Sequence, residues 1–308
     1  MTKYLIIVVG PTAIGKTSLS IKLANHFKAE IISCDSRQFF KEMKIGTAVP
    51  SDEELASAKH HFIQNKSIFD NYTVGDFEKE SLLKLNLLFK NDKFAVLVGG
   101  SGLYVNAVLQ GFDTFPEIDS KIRAEIQLNY ESSGLSYLQE KLKDTDLVYY
   151  NFLLENNPQT LQNPQRLMRF VEVGLGTGKP YSSFLNQEKK QRDFIPIIIG
   201  LEANREALYN RINLRVDIMI EQGLVEEAKS LHAYKNLNAL QTVGYRELFE
   251  YFDGKISLEF AIEEIKKNTR RFAKRQMTWF KRTEGIHWFD YQTDANEIIN
   301  LIDSLTCQ

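Results

Sequence analysis

Cysteine is nearly absent. Among 308 residues only Cys34 and Cys307 occur, which excludes a disulfide scaffold and a Cys-rich zinc module. His60-His61 has no third ligand at metal-binding spacing, so the pair reads as ordinary surface or core histidines. An excess of one charge is also lacking. The net charge of −2 gives no global push toward nucleic acid, so any such partner must be met by local basic patches. Long apolar runs are missing as well. Five apolar residues, Leu5 to Val9, precede Gly10-Pro11, too few for a signal peptide or a membrane span. No internal repeat, low-complexity tract or flexible linker is visible. At 43% hydrophobic and 25% charged, the composition is that of an ordinary soluble protein, with the reducing cytoplasm as the simplest location.

What is present is concentrated at Gly10-Pro11-Thr12-Ala13-Ile14-Gly15-Lys16-Thr17, which matches the G-x-x-x-x-G-K-[ST] phosphate loop in full. The apolar run before it reads as a buried strand. Ser18 to Phe27 follows as a helix, with Leu19, Leu23 and Phe27 four apart on one face. That context aims backbone N–H groups and the helix dipole at an anion, and Lys16 adds a full charge. The Thr17 hydroxyl is placed to join the shell of a magnesium ion carried by the phosphates. The site therefore takes a diphosphate or a triphosphate.

Further on, Ala29 to Cys34 predicts a second strand, which delivers Asp35-Ser36-Arg37-Gln38 at its carboxyl end. Lys79 to Lys90 predicts an amphipathic helix, and Phe94 to Val98 a third strand ending in Gly99-Gly100-Ser101-Gly102. Strands alternating with helices predict an α/β fold with a parallel sheet, whose ligand crevice lies outside the carboxyl ends of its strands. The phosphate loop, Asp35 and Ser101 all stand at such ends. From Phe115 to Lys190 strand-like runs disappear, so this stretch reads as a helical insertion in a core made of 1–114 and 191–308. Ile195 to Leu201 returns as a strand, and helices dominate beyond it. Arg205 to Gln222 carries Arg211 and Arg215 on one face, either a solvated pair or a second clamp on phosphates. Leu258 to Arg282 reads as a long helix with a seam at Ile262, Ile265, Thr269, Phe272, Gln276 and Trp279. Eight cations and no acidic residue lie between Lys266 and Arg282, interleaved with Phe272, Trp279 and Phe280. That pattern suits a nucleic-acid backbone, or simply the wet side of a helix.

Asp35 can accept a proton from a bound nucleophile, hold magnesium or a ribose hydroxyl, or merely cap a helix. The third strand does not end in a Walker-B carboxylate; Gly99-Gly100 stands there instead, which weakens an ATPase or GTPase reading. A small-molecule or nucleotide kinase and a nucleotide-gated RNA-binding module share the same loop and stay open at this level.

Several stretches occur in an order that spells a family. They are GPTAIGKT (10–17), DSRQ (35–38) with IGTAVP (45–50), LVGGSGLY (97–104), NPQRLMR (163–169), TGKP (177–180), RINLRVDIMIEQGLVEE (211–227), QTVGYREL (241–248) and TRRFAKRQMTWFKR (269–282). Together they resemble the bacterial tRNA dimethylallyltransferases over nearly the whole chain. The resemblance implies a P-loop NTPase-like core with a helical insertion that grips the anticodon stem. It implies transfer of a dimethylallyl group from dimethylallyl diphosphate to N6 of the adenine 3′-adjacent to the anticodon of tRNA, with magnesium and release of diphosphate. A monomer is expected. Carried over by position, Gly10 to Thr17 would hold the donor diphosphate, Arg215 would brace it, and Asp35 would take the N6 proton. Asp35, Ser36, Arg37 and Gln38 would line the pocket of the target base. Ser101, Arg123, the run Gln165-Arg166-Leu167-Met168-Arg169 and the run Gln241-Thr242-Val243-Gly244-Tyr245-Arg246 would contact tRNA. The sequence departs from the pattern at Ser101, where the family has Thr, and at Asn163-Pro164-Gln165-Arg166, where it has Asn-Asp-x-Arg. The zinc-finger tail of eukaryotic relatives is missing, which points to the bacterial type.

Overall fold

Six strands form one parallel sheet: β1 Tyr4–Val9, β2 Ile31–Ser33, β3 His60–His61, β4 Phe94–Val98, β5 Ile195–Glu202 and β6 Ile286–Asp290. Their spatial order is β3-β2-β4-β1-β5-β6. The structure is a computed structural model and describes residues 2–113, 115–185 and 191–307. Eleven α-helices occur among these residues. They are α1 Lys16–Phe27, α2 Asp52–Ser57, α3 Val74–Leu88, α4 Gly102–Gln110, α5 Ser120–Asn156, α6 Pro164–Thr177, α7 Arg205–Glu221, α8 Leu224–Leu231, α9 Tyr245–Phe252, α10 Leu258–Phe280 and α11 Ala295–Thr306.

All six residues of β1 are buried, because the strand lies mid-sheet with helices over both faces. The two-residue period of the strand divides them. Tyr4, Ile6 and Val8 pack with Leu19 and Leu23 of α1 and with Ile298 and Ile302 of α11. Leu5, Ile7 and Val9 pack with Phe77 and Leu85 of α3 and with Val105 and Val108 of α4. A third cluster joins α7 to α10 through Val216, Leu224, Tyr245, Leu248 and Ile265, with Phe40 and Met43 from the segment after β2.

The chain divides into two compact units, residues 1–110 with 191–308 and residues 111–190. The expected limits at residue 114 and residue 190 fall on positions outside the described residues. The second unit is helical. Its α5 breaks at Gly134 (φ 71°) and at Asp146 (φ −157°), and Ile126, Leu138, Leu142 and Leu153 pack against Leu167, Met168 and Val171 of α6. Asp146 is buried in the second break, where its carboxylate accepts from Tyr149 N at 3.0 Å and Ser182 N at 2.7 Å.

Several elements differ from expectation. β3 and β6 are edge strands that the sequence does not announce: His60-His61 is two residues long, and Ile286–Asp290 is neither continuously apolar nor cleanly alternating. His61 Nε2 pairs with Glu30 at 2.5 Å. α3 starts at Val74 rather than Lys79, since Thr73 and Asp76 form a capping box. In α10 the buried residues are Ala261, Ile265, Ala273, Gln276 and Phe280. Phe272 and Trp279, placed on the apolar seam by sequence, are exposed. The helix packs successively on three clusters instead of one continuous neighbour, so its buried stripe does not hold a single face.

Candidate active site

The phosphate loop fills the turn between β1 and α1. Gly10 (φ 146°) approaches so close to β5 that a Cβ there would stand 2.6 Å from Leu201 O, and Gly15 (φ 110°) opens α1 in a left-handed conformation. Lys16 Nζ donates to Pro11 O at 2.7 Å, folding back on its own loop. Its surroundings are enclosed, and burial is the main force pushing its pKa down to about 8; the nearby Asp35 carboxylate opposes that shift.

Both arginines of α7 reach the loop. Arg211 Nε donates to Ala13 O at 2.8 Å, with its guanidinium 5.0 Å from the Tyr291 ring. Arg215 Nη1 donates to Thr12 Oγ at 3.5 Å, and burial lowers its pKa while Asp35 raises it. Arg211 thus braces the loop backbone from an exposed position, while the half-buried Arg215 lines the cavity beside it.

Two cavities meet here. The larger, about 940 Å³, is lined by residues 12–18, by Asp35 and Gln38, and by an apolar wall that includes Ile45, Val49, Leu214, Met219 and Phe272. The second, about 550 Å³, is lined by Ser36, Arg37, residues 100–104, residues 241–244 and Arg246, with Phe272, Arg275 and Trp279 of α10. Thr12, Asp35, Arg215 and Gln276 line both. Asp35 Oδ1 accepts from Arg37 N at 3.1 Å, closing the turn after β2, and Oδ2 has no hydrogen bond among the described residues. So Asp35 caps a turn and still presents a free carboxylate oxygen at the junction.

The missing Walker-B carboxylate has a steric reason. A Cβ at Gly99 would lie 2.5 Å from Cys34 Sγ, so no side chain fits at the end of β4. Among the described residues no group of three or more His, Cys, Asp or Glu could hold a metal ion. Thr17 and Asp35 line the phosphate-loop cavity, a sparse donor set that suits a magnesium held mostly by phosphate oxygens.

Other expected contacts divide. Ser36 Oγ and Ser101 Oγ lie 3.4 Å apart at the second cavity. The Arg37 guanidinium is spent on Asn238 O and Ala239 O at 3.1 and 2.9 Å. Gln38 is buried, its amide donating to Thr47 O and Ala48 O, so it shapes the segment after β2. In the second unit Arg123 and Arg169 share Glu172 at 3.0 and 3.4 Å, while Gln165 and Arg166 are exposed. Leu167, Met168 and Tyr245, expected to contact tRNA, have their side chains in the core. The first two face inward on α6 beside outward Gln165, Arg166 and Arg169, as the helical period requires. Tyr245 instead donates to Glu227 at 2.6 Å.

Two residues escaped the sequence reading. The Glu227 carboxylate also accepts the N–H groups of Lys44, Ile45 and Gly46 at 3.0, 2.8 and 2.9 Å, fixing the segment that carries Thr47 and Ala48 into both cavities. Gln276 links the phosphate loop to the turn after β4. A charge on a helix and a glutamine in a seam carry no local signal, because their partners lie far away in sequence.

Comparison with known proteins settles the family. A model of the IPP transferases matches residues 38–283. The chain belongs to the IPP transferase family. Among its relatives, the tRNA dimethylallyltransferase of Flavobacterium johnsoniae is 69% identical over 300 residues, covering 97% of each chain. A crystal structure of the full-length tRNA isopentenylpyrophosphate transferase from Bacillus halodurans shares 35% identity at TM-score 0.71, covering 99% of this chain and 96% of that one. A eukaryotic dimethylallyltransferase caught acting on tRNA shares 27% identity at TM-score 0.76, covering 100% of this chain and 80% of that chain. For an IPP transferase, the expected P-loop α/β fold is the one observed, and the kinase reading finds no support among these relatives.

Proposed function

We propose that this IPP transferase moves a dimethylallyl group from dimethylallyl diphosphate to N6 of the adenine 3′-adjacent to the anticodon in tRNA, releasing diphosphate. One observation carries the reading: a phosphate-loop cavity with an apolar wall meets a second, cation- and aromatic-lined cavity at a single carboxylate, Asp35. The first cavity suits a prenyl chain tailing from a diphosphate. The second suits an unstacked base, with Phe272 and Trp279 as stacking surfaces and Arg246 and Arg275 for the RNA backbone.

In the reaction the allylic C–O bond breaks as the N6–C bond forms, and the N6 proton passes to Asp35. Lys16, Arg215 and the loop amides stabilise charge gathering on the departing diphosphate, which is where such sites gain most of their rate. Magnesium held by the phosphate oxygens and the Thr17 hydroxyl would supply further neutralisation of that charge. The segment 111–190, with Arg166 and Gln165 exposed on α6, is assigned to the anticodon stem. No helix among the described residues is long and apolar enough to cross a membrane.

The test is direct. Purified protein with magnesium, dimethylallyl diphosphate and unmodified tRNA should add one five-carbon group to an anticodon-loop adenine without ATP, seen by nuclease digestion and mass spectrometry. Asp35→Asn should slow single-turnover transfer by roughly 10²-fold or more while tRNA affinity stays within a few-fold. Unmodified adenine in the wild-type reaction would reject the assignment, and near-normal transfer by Asp35→Asn would remove Asp35 from its role.

A further inference from the structure

Gln276 has no part in the chemistry above, yet it joins the two halves of the site. Its Oε1 accepts the N–H of Thr12 at 2.9 Å, and its Nε2 donates to Gly100 O at 2.9 Å. Thr12 belongs to the phosphate loop and Gly100 to the turn after β4. Gln276 belongs to α10, whose Phe272, Arg275 and Trp279 line the acceptor cavity. The residue is 6% exposed, and its bond to Gly100 O is fully buried, out of exchange with water.

The neighbouring glycine is shaped to it. A Cβ at Gly100 would come within 2.1 Å of Gln276 Nε2, while its other neighbours, Gln276 Cδ and Gly10 O, stand at 3.2 and 3.5 Å. Glycine at 100 therefore admits the carboxamide. The Thr12 amide is committed to Gln276, which fixes the loop where Thr12 lines both cavities. Only a neutral carboxamide supplies one acceptor and one donor here. A glutamate would turn a second acceptor toward Gly100 O, and methionine, of similar length, offers neither bond.

We infer that Gln276 is a positioning residue: from the helix facing the acceptor it sets the phosphate loop at Thr12, holding donor diphosphate and acceptor base in register. The inference rests on the transferase reading, and its test therefore begins with inorganic pyrophosphate in the absence of tRNA.

Gln276→Met should weaken magnesium-pyrophosphate binding by about tenfold in calorimetry and slow single-turnover transfer by roughly 10- to 100-fold, the scale of a small misplacement of reacting groups. Its tRNA dissociation constant should stay within about twofold. Gln276→Glu, which keeps the bond from Thr12, should recover part of the pyrophosphate affinity. Gly100→Ala should reproduce the Gln276→Met defect, because its methyl displaces the flexible carboxamide. The double variant should be no worse than either single, the mark of one shared interaction. Wild-type pyrophosphate affinity and transfer rate in Gln276→Met, or additive losses in the double variant, would overturn the inference. So would losses that vanish once rates and affinities are corrected for the folded fraction from the thermal midpoint. A wild-type protein that binds pyrophosphate but transfers nothing would reject the transferase reading, leaving the clamp to be judged on pyrophosphate affinity.

Discussion

Lys16 shows how a single residue is tuned by its enclosure. In the free protein burial lowers its pKa from 10.5 to about 8. A folded-state pKa below the unfolded value means that keeping the charge costs stability at neutral pH. That cost is relieved as pH rises between about 8 and 10.5, where the unfolded chain still holds the proton and the folded one has lost it. Ligand binding runs the other way, because a diphosphate needs the cation. Pyrophosphate affinity should therefore weaken as pH rises above 8, approaching roughly tenfold per pH unit. Calorimetry between pH 7 and pH 10 would measure this, with Lys16→Arg, which keeps its charge, removing the ligand's own titration from the comparison. Identical slopes in the two proteins would mean that Lys16 does not control the dependence. Asp35 teaches a complementary lesson. The alternatives of cap and base do not compete, since one oxygen closes the turn at Arg37 N and the other remains unbonded among the described residues.

At the scale of elements, α10 divides its cations between the fold and the surface. Lys266 is tied to Asp217 at 2.8 Å, Lys267 to Glu264, and Lys281 to Glu202 at 2.6 Å. Arg270 donates to Asn213 at 2.6 Å. Arg271, Lys274, Arg275 and Arg282 are exposed and take part in no ion pair among the described residues, and Phe272 and Trp279 are exposed between them. Arg271 donates to Asn268 at 3.3 Å, and Arg275 lies 5.7 Å from the Phe272 ring. Exposed aromatics thus stand among cations outside ion pairs, the combination a single-stranded nucleic-acid surface would present. Replacing Arg271 and Arg275 together by Gln should weaken tRNA binding and lower the slope of log affinity against log salt by roughly 1 to 2. Filter binding at several salt concentrations reads this out, and an unchanged slope would return the helix to a structural role. The same helix shows the limit of periodicity. A seam read from spacing assumes one flat neighbour, whereas α10 meets three clusters in turn, so Phe272 and Trp279 are free for the cavity.

Across the whole molecule, a ligand that binds only the folded core must stabilise it by mass action. Dimethylallyl diphosphate at about a hundred times its dissociation constant should add about 2.7 kcal/mol of stability. ATP at the same concentration should raise the thermal midpoint less, because on the proposed donor the apolar wall of Leu214, Met219 and Phe272 is covered by an isoprenoid tail that ATP lacks. Stronger protection by ATP in a thermal melt would contradict the donor assignment. The sequence by itself determined the phosphate loop, the mid-sheet strands β1, β4 and β5 and the placing of Asp35 at a strand end. Each of these rests on local spacing or on a continuous apolar run that burial on both sheet faces demands. Only the tertiary structure decided the edge strands β3 and β6, whose half-covered faces need no continuous apolar run. It also decided that Tyr245, Leu167 and Met168 point into cores, and that Arg211 braces the loop while Arg215 enters the site. Glu227 and Gln276 belong there too: a carboxylate collecting three distant backbone N–H groups and an amide joining residues 12 and 100 are relations between segments. Such relations exist only once the chain has folded, because hydrogen bonds across long sequence separations leave no mark on either neighbourhood alone.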